Sequence, residues 1–117
     1  MAYSRTATIS CENNGSTECA IDASLSIIGG KWKLKIYKAL RSGHPLRFTA
    51  LKASLAPISD KTLTAQLREM EEDNLLKRQI FPTVPPKVEY TLTDLGTSLE
   101  AVFVALEKWG KDFIKQK

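Results

Sequence analysis

Ser59-Asp-Lys-Thr-Leu-Thr-Ala-Gln-Leu-Arg-Glu-Met-Glu71 is the stretch whose reading decides the fold. Leu63, Leu67 and Met70 recur at helical spacing, and Ser59 stands ahead of them as an N-cap, its side-chain oxygen placed to accept from a free backbone amide. Two strand-like runs follow, residues 75 to 81 and 87 to 92, joined by Pro82-Thr-Val-Pro-Pro86. In the second run Val88, Tyr90 and Leu92 alternate with Lys87, Glu89 and Thr91, the period of a half-buried antiparallel strand. The prolines fall in the connecting loop, where they remove no ladder hydrogen bond. A helix feeding a two-stranded ribbon is the wing of a winged helix-turn-helix. In that architecture a helix enters a DNA major groove while the ribbon follows the backbone.

Upstream, Arg47 to Leu55 predicts a short helix with Phe48, Leu51 and Leu55 inward, and Ala56-Pro57-Ile58 turns the chain. Residues 47–71 are therefore the helix-turn-helix. Before it, Trp32, Ile36, Ala39 and Leu40 share one face of a helix that ends near Ser42-Gly43, since Pro45 blocks continuation. A first helix is expected from Cys19, with Ile21, Leu25 and Ile28 on its apolar face and Gly29-Gly30 as its stop. Downstream, Thr93-Asp94 caps one long final helix, whose apolar face is Leu95, Leu99, Val102, Phe103, Leu106, Trp109 and Phe113. Residues 1–18, rich in Ser, Thr, Asn and Gly, read as a loose arm, and 19–117 as the folded domain. The fold class is α+β, mostly helical, with the wing at 75–92. The helices at 19–29 and 93–115 are extra to the basic unit, and a second copy of the chain would bury their faces. The interface residues expected are Ile21, Leu25, Leu99, Val102, Phe103, Leu106, Trp109 and Phe113.

The 117 residues suit one domain, with 43% hydrophobic and 26% charged residues. A formal charge of +4 permits a polyanionic partner without requiring one. The first fifteen residues hold no apolar signal region, and no run approaches the roughly 20 apolar residues of a membrane span. Cys11 and Cys19 make no disulfide framework, so a cytoplasmic setting is the default.

On the helix at 59–71, the stripe of Leu63, Leu67 and Met70 turns Lys61, Ala65 and Arg68 outward, with Thr62 and Thr64 on the flanks. Small and hydroxyl residues permit close approach to base edges. Thr packs its methyl on thymine or exchanges a hydrogen bond, and Arg favours guanine. Ser59 and the adjacent amides suit a phosphate oxygen. Lys77, Arg78 and Lys87 put positive charge on the ribbon, against which Glu89 works. Taken alone, this face is equally well the solvated side of an ordinary surface helix. The ribbon beside it tips the reading toward DNA.

These residues resemble the HxlR-type bacterial winged-helix regulators. The matching pieces are Cys19-Ala-Ile21, Gly29-Gly-Lys-Trp-Lys33, Arg47-Phe48 with Leu51, Ile58-Ser59, and Leu63 through Glu69. They continue with Pro82 through Tyr90, Thr91-Leu-Thr-Asp-Leu-Gly96 and Trp109-Gly110. Each is weak alone; the Gly-Gly-Lys-Trp and Pro-Pro-x-Val-Glu-Tyr pieces together are specific. The resemblance implies a homodimer joined through its first and last helices, reading a palindromic operator with half-sites about 34–36 Å apart. It further implies that Lys31 and Arg47 lie near the DNA backbone. Ala20 departs from the proline usual in the family.

Some members of such a family sense oxidants through the cysteine that Cys19 matches. A helix N-terminus lowers a thiol pKa, whereas Glu18 and Asp22 push it back up, so the weighing favours an inert thiol. Cys11 has no visible activator, and redox sensing through a Cys11–Cys19 or intersubunit disulfide is the open alternative. His44 with two distant thiols makes no metal-ligand spacing, and no cofactor is implied. Trp32, Tyr37, Trp109 and Phe113 are read as core or interface rather than a ligand pocket, and the small-molecule effector, if there is one, is unknown. The leading expectation is a dimeric, sequence-specific transcription regulator. The alternative is a winged-helix module that binds protein with the same face, and a small thiol enzyme comes third.

Overall fold

The computed structural model describes residues 17–116, so most of the expected arm, Cys11 included, lies outside the described residues. The chain falls into two compact units, one through Lys33 and one from Leu34 onward. In the first, helix α1 (Thr17–Ile28) starts two residues ahead of Cys19. It ends where the Gly29 amide donates to the Leu25 carbonyl, 3.0 Å, and Gly30 turns to φ +102°, a conformation open to glycine. Ile21 and Leu25 remain exposed.

The next helix, α2 (Lys33–Leu40), begins at the boundary. Its buried residues are Lys33 and the apolar Ile36, Tyr37 and Leu40, which corrects the expected face. Trp32 precedes the helix and Ala39 is only half-buried, so the large Tyr37 ring fills the core instead. The second unit continues with β1 (Leu46–Arg47), α3 (Phe48–Ser54), α4 (Asp60–Glu72), β2 (Leu76–Phe81), β3 (Lys87–Leu92), α5 (Asp94–Thr97) and α6 (Leu99–Lys115). Ile36, Leu40, Leu51, Leu63, Met70 and Leu76 are the largest fully buried side chains. Each contributes on the order of 1.5–3 kcal/mol by leaving water. The stripe of Leu63, Leu67 and Met70 is buried as the spacing predicts.

The sheet has three strands in the order β1-β3-β2, all antiparallel. The two-residue β1 is too short to carry a periodic signal, and the sequence reading placed Arg47 on a helix. Arg47 instead ends β1 opposite Glu89 and serves as the N-cap residue of α3.

The expected single final helix is two. Thr93 caps α5, its Oγ1 accepting from the Gly96 amide at 3.0 Å. Ser98 interrupts the run, its hydroxyl donating back to the Leu95 carbonyl at 2.5 Å, a local bond that competes with the helical ladder. Leu95 is exposed and belongs to α5 rather than to α6.

Candidate nucleic-acid interface

Ser59 is in extended conformation (φ −80°, ψ 156°), and its Oγ accepts from the Thr62 amide at 3.1 Å while donating to Thr62 Oγ1 at 2.9 Å. Asp60 adds a carboxylate to the first turn, favourable at the positive end of a helix. That carboxylate pairs with Lys52 of α3 at 2.6 Å, tying the two helices of the helix-turn-helix together. At the other end Asn74 takes φ 63°, the Leu75 amide donates to the Met70 carbonyl at 2.8 Å, and the Asn74 amide to Glu71 at 3.0 Å. These are the paired bonds of a Schellman stop, and Met70 and Leu75 make the buried apolar pair that accompanies it. So α4 is capped at both ends and held on its apolar side. Its outer side is open: Lys61, Ala65 and Arg68 are exposed and Thr62 and Thr64 half-exposed.

The C-terminal turn of α4 is also fastened from below. Thr93 donates its amide to the Leu75 carbonyl at 3.0 Å and its hydroxyl to the Asn74 carbonyl at 2.6 Å. Gly96 lies so close that a Cβ there would sit 1.9 Å from the Leu75 carbonyl oxygen.

The ribbon has two faces set by register. Arg78 lies opposite Tyr90, and Ile80 opposite Val88, on the face shared with Leu76. Gln79 lies opposite Glu89, and Phe81 opposite Lys87, on the other. The ribbon's cations are not equivalent. Arg78 Nε pairs with Glu71 of α4 at 3.5 Å. Lys87 Nζ lies 4.5 Å from the Phe81 ring centroid and 3.7 Å from Glu89. Arg47, Lys61 and Lys77 are exposed, with no ion-pair partner among the described residues. Burial pushes the Tyr90 phenol up; Arg78 pulls it down, Glu71 raises it and Arg68 lowers it. The pairing of Arg78 and Lys87 was missed in the sequence. The available signal was the two-residue spacing of Lys87 and Glu89, which puts both on one side of a strand. Lys31, in the first unit, sits over the Trp32 ring at 4.9 Å.

Not one residue of the seventeen in α6 is buried. Leu99, Val102 and Phe103 are half-buried, with the Phe103 ring 5.0 Å from Tyr37. Leu106, Trp109 and Phe113 are exposed, the last two stacked at 5.4 Å. The Tyr37 hydroxyl donates to Glu100 at 3.4 Å, and burial followed by that carboxylate raises its pKa. Cys19 is disulfide-bonded, the alternative to the inert thiol weighed above. No helix among the described residues is long and apolar enough to cross a membrane.

A buried-backed helix with an open outer side, joined to a basic antiparallel ribbon, defines a winged helix-turn-helix transcription regulator that binds DNA. The family model for HxlR-like helix-turn-helix proteins matches residues 27–117, and the chain belongs to that family. An HTH-type transcriptional regulator of Halalkalibacterium halodurans is 49% identical over 86 residues, 74% of this chain and 76% of its own. A transcriptional regulator of the MarR family from Enterococcus faecalis V583 superposes with a TM-score of 0.78 at 38% identity, covering 92% of this chain and 96% of that one. The reduced form of YodB from Bacillus subtilis gives a TM-score of 0.75 at 34% identity, covering 84% and 95%. YodB has also been solved diamide-treated and quinone-bound.

Proposed function

We propose that the protein acts as a homodimer on a palindromic operator. Thr62, Thr64, Ala65 and Arg68 read base edges, while Ser59, Lys61, Lys77, Arg78, Lys87, Arg47 and Lys31 position the subunit on phosphates. The observation that carries the reading is the two-sidedness of α4: Leu63, Leu67 and Met70 sealed inward, Lys61, Ala65 and Arg68 open. Dimerisation is supported by α6, whose exposed Leu106, Trp109 and Phe113 line one side, and by the exposed Ile21 and Leu25 of α1. The protein is a regulator of the cytoplasm rather than an enzyme, in keeping with relatives named as transcriptional regulators.

Selection from random duplexes tests this and delivers the half-site. Arg68→Ala should then cost on the order of 1–3 kcal/mol and relax one base position, whereas Lys77→Ala should weaken all sequences alike. Operator isotherms unchanged by both would refute the assignment of this face.

A second reading, thiol control of DNA binding, is favoured by the disulfide at Cys19 and by the reduced, diamide-treated and quinone-bound forms of the related YodB. Operator affinity should differ between reduced and oxidised protein, and Cys19→Ser should abolish the difference. Cys11, the other cysteine of the sequence, is tested the same way.

A further inference from the structure

The wing carries its own competitors for phosphate. Of the cations assigned above to the DNA backbone, Arg78 is engaged by Glu71 and Lys87 by Glu89. The strand register also places Glu89 directly opposite Arg47, in the middle strand of the sheet. One carboxylate thus sits between two phosphate-binding candidates, and a second holds a third candidate against the end of α4. Both acids are partly shielded, with the Glu89 side chain 21% exposed and that of Glu71 38%. Their field is therefore less screened than that of a fully solvated pair.

We propose that Glu71 and Glu89 limit the affinity of the wing for duplex DNA of any sequence, so that tight binding depends on the base contacts of α4. The inference rests on the DNA reading given above. On any duplex the nucleic acid must draw Arg78 and Lys87 away from their carboxylates, and the two acids stand close to incoming phosphates. On the operator, base contacts from α4 fix the register and add affinity that outweighs this common cost. On other sequences no such contacts are added, because phosphate contacts supply nearly all of non-specific affinity. The modest net charge of +4 is consistent with a surface that limits indiscriminate binding.

The test compares the full chain with Glu71→Gln, Glu89→Gln and the double variant. Fluorescence anisotropy would follow binding to the selected operator and to a scrambled duplex of equal length and composition, across a salt series. Each glutamine should tighten binding to the scrambled duplex by about 2–5-fold at low salt, the range expected from a partly exposed ion pair. Operator binding should tighten by a similar factor, because the cost of releasing the two cations is common to both duplexes. The double variant should show a steeper salt dependence on scrambled duplex, because cations released from carboxylates displace more counterions. Lys87→Gln added to Glu89→Gln should reverse the gain. Unchanged or weaker binding to scrambled duplex in both single variants, with unaltered thermal midpoints, overturns the proposal. Should Glu89→Gln fail to fold, Glu71→Gln decides the matter alone. A wild-type chain that does not distinguish the two duplexes refutes the DNA reading itself.

Discussion

Gly96→Ala is the substitution that most directly tests how α4 is held. A Cβ at this position would lie 1.9 Å from the Leu75 carbonyl oxygen, 2.9 Å from its carbon and 3.2 Å from Leu92 Cδ2. The neighbour is backbone and cannot rotate away. An ordinary carbon–oxygen approach of about 3.3 Å requires the two segments to separate by roughly 1.4 Å, the difference between that approach and the distance quoted. The same carbonyl accepts from the Thr93 amide at 3.0 Å, and the Gly96 amide is the one Thr93 caps. Separation therefore strains two bonds as well as the packing. Overpacking costs about 1–3 kcal/mol, and loss of a cap adds about 1 kcal/mol. A total of roughly 2–4 kcal/mol corresponds to a fall in Tm of about 10–20 °C for a domain of this size. Circular dichroism melts at matched protein concentration would measure it, since a dimer makes Tm concentration-dependent. Operator affinity should fall with it, because Leu75 closes the last turn of α4. A Tm within 2 °C of wild type, together with unchanged affinity, would refute the close approach and the buttressing argument together.

Ser59→Ala removes the cap of α4 and should cost about 1 kcal/mol by chemical denaturation, with operator affinity falling as the helix start frays. Trp109→Glu places a charge on the exposed stripe of α6 and should shift sedimentation from dimer to monomer, with loss of operator binding; a dimer that persists would move the interface elsewhere. The raised pKa of Tyr37 means the folded chain favours the neutral phenol, so its contribution is present below the ordinary value near 10 and lost as pH climbs through the folded value. Denaturation midpoints should thus be flat in this respect at neutral pH and drop in alkali, with Tyr37→Phe removing part of the drop.

The elements legible in the sequence were those with enough length to show a period. The stripe of Leu63, Leu67 and Met70 and the alternation from Lys87 to Leu92 each repeat often enough to fix a face. The mostly helical α+β fold and the wing followed from them. A strand of two residues repeats nothing, so β1 was invisible and Arg47 was read as helical. The division of the last helix turns on one serine hydroxyl bonding locally, which no hydrophobic pattern reports. The Schellman stop was present in principle as Asp73-Asn74-Leu75, since asparagine tolerates a positive φ. The candidate site divides in the same way. Exposure of Lys61, Ala65 and Arg68 follows from periodicity alone. The capture of Arg78 by Glu71 joins a strand to a helix seven residues earlier, and depends on the turn between them.

That turn also explains how a dimer of this chain would control its own operator spacing. From α6 back to α4 the second unit offers two short connections. One runs through Phe103 and Glu100 to the buried Tyr37 of α2, beneath the core that α4 shares. The other runs through α5, where Thr93 and Gly96 grip Asn74 and Leu75 by backbone. Neither passes through a long loop, and the second is made to backbone. In the proposed dimer, whatever fixes the angle between two copies of α6 therefore also fixes the separation of the two recognition helices. A tilt at the interface would reach α4 through these contacts, because packed elements are displaced as a whole rather than deformed gradually. Control of DNA binding by any signal acting on the α6 interface then needs no change in the residues that face the bases.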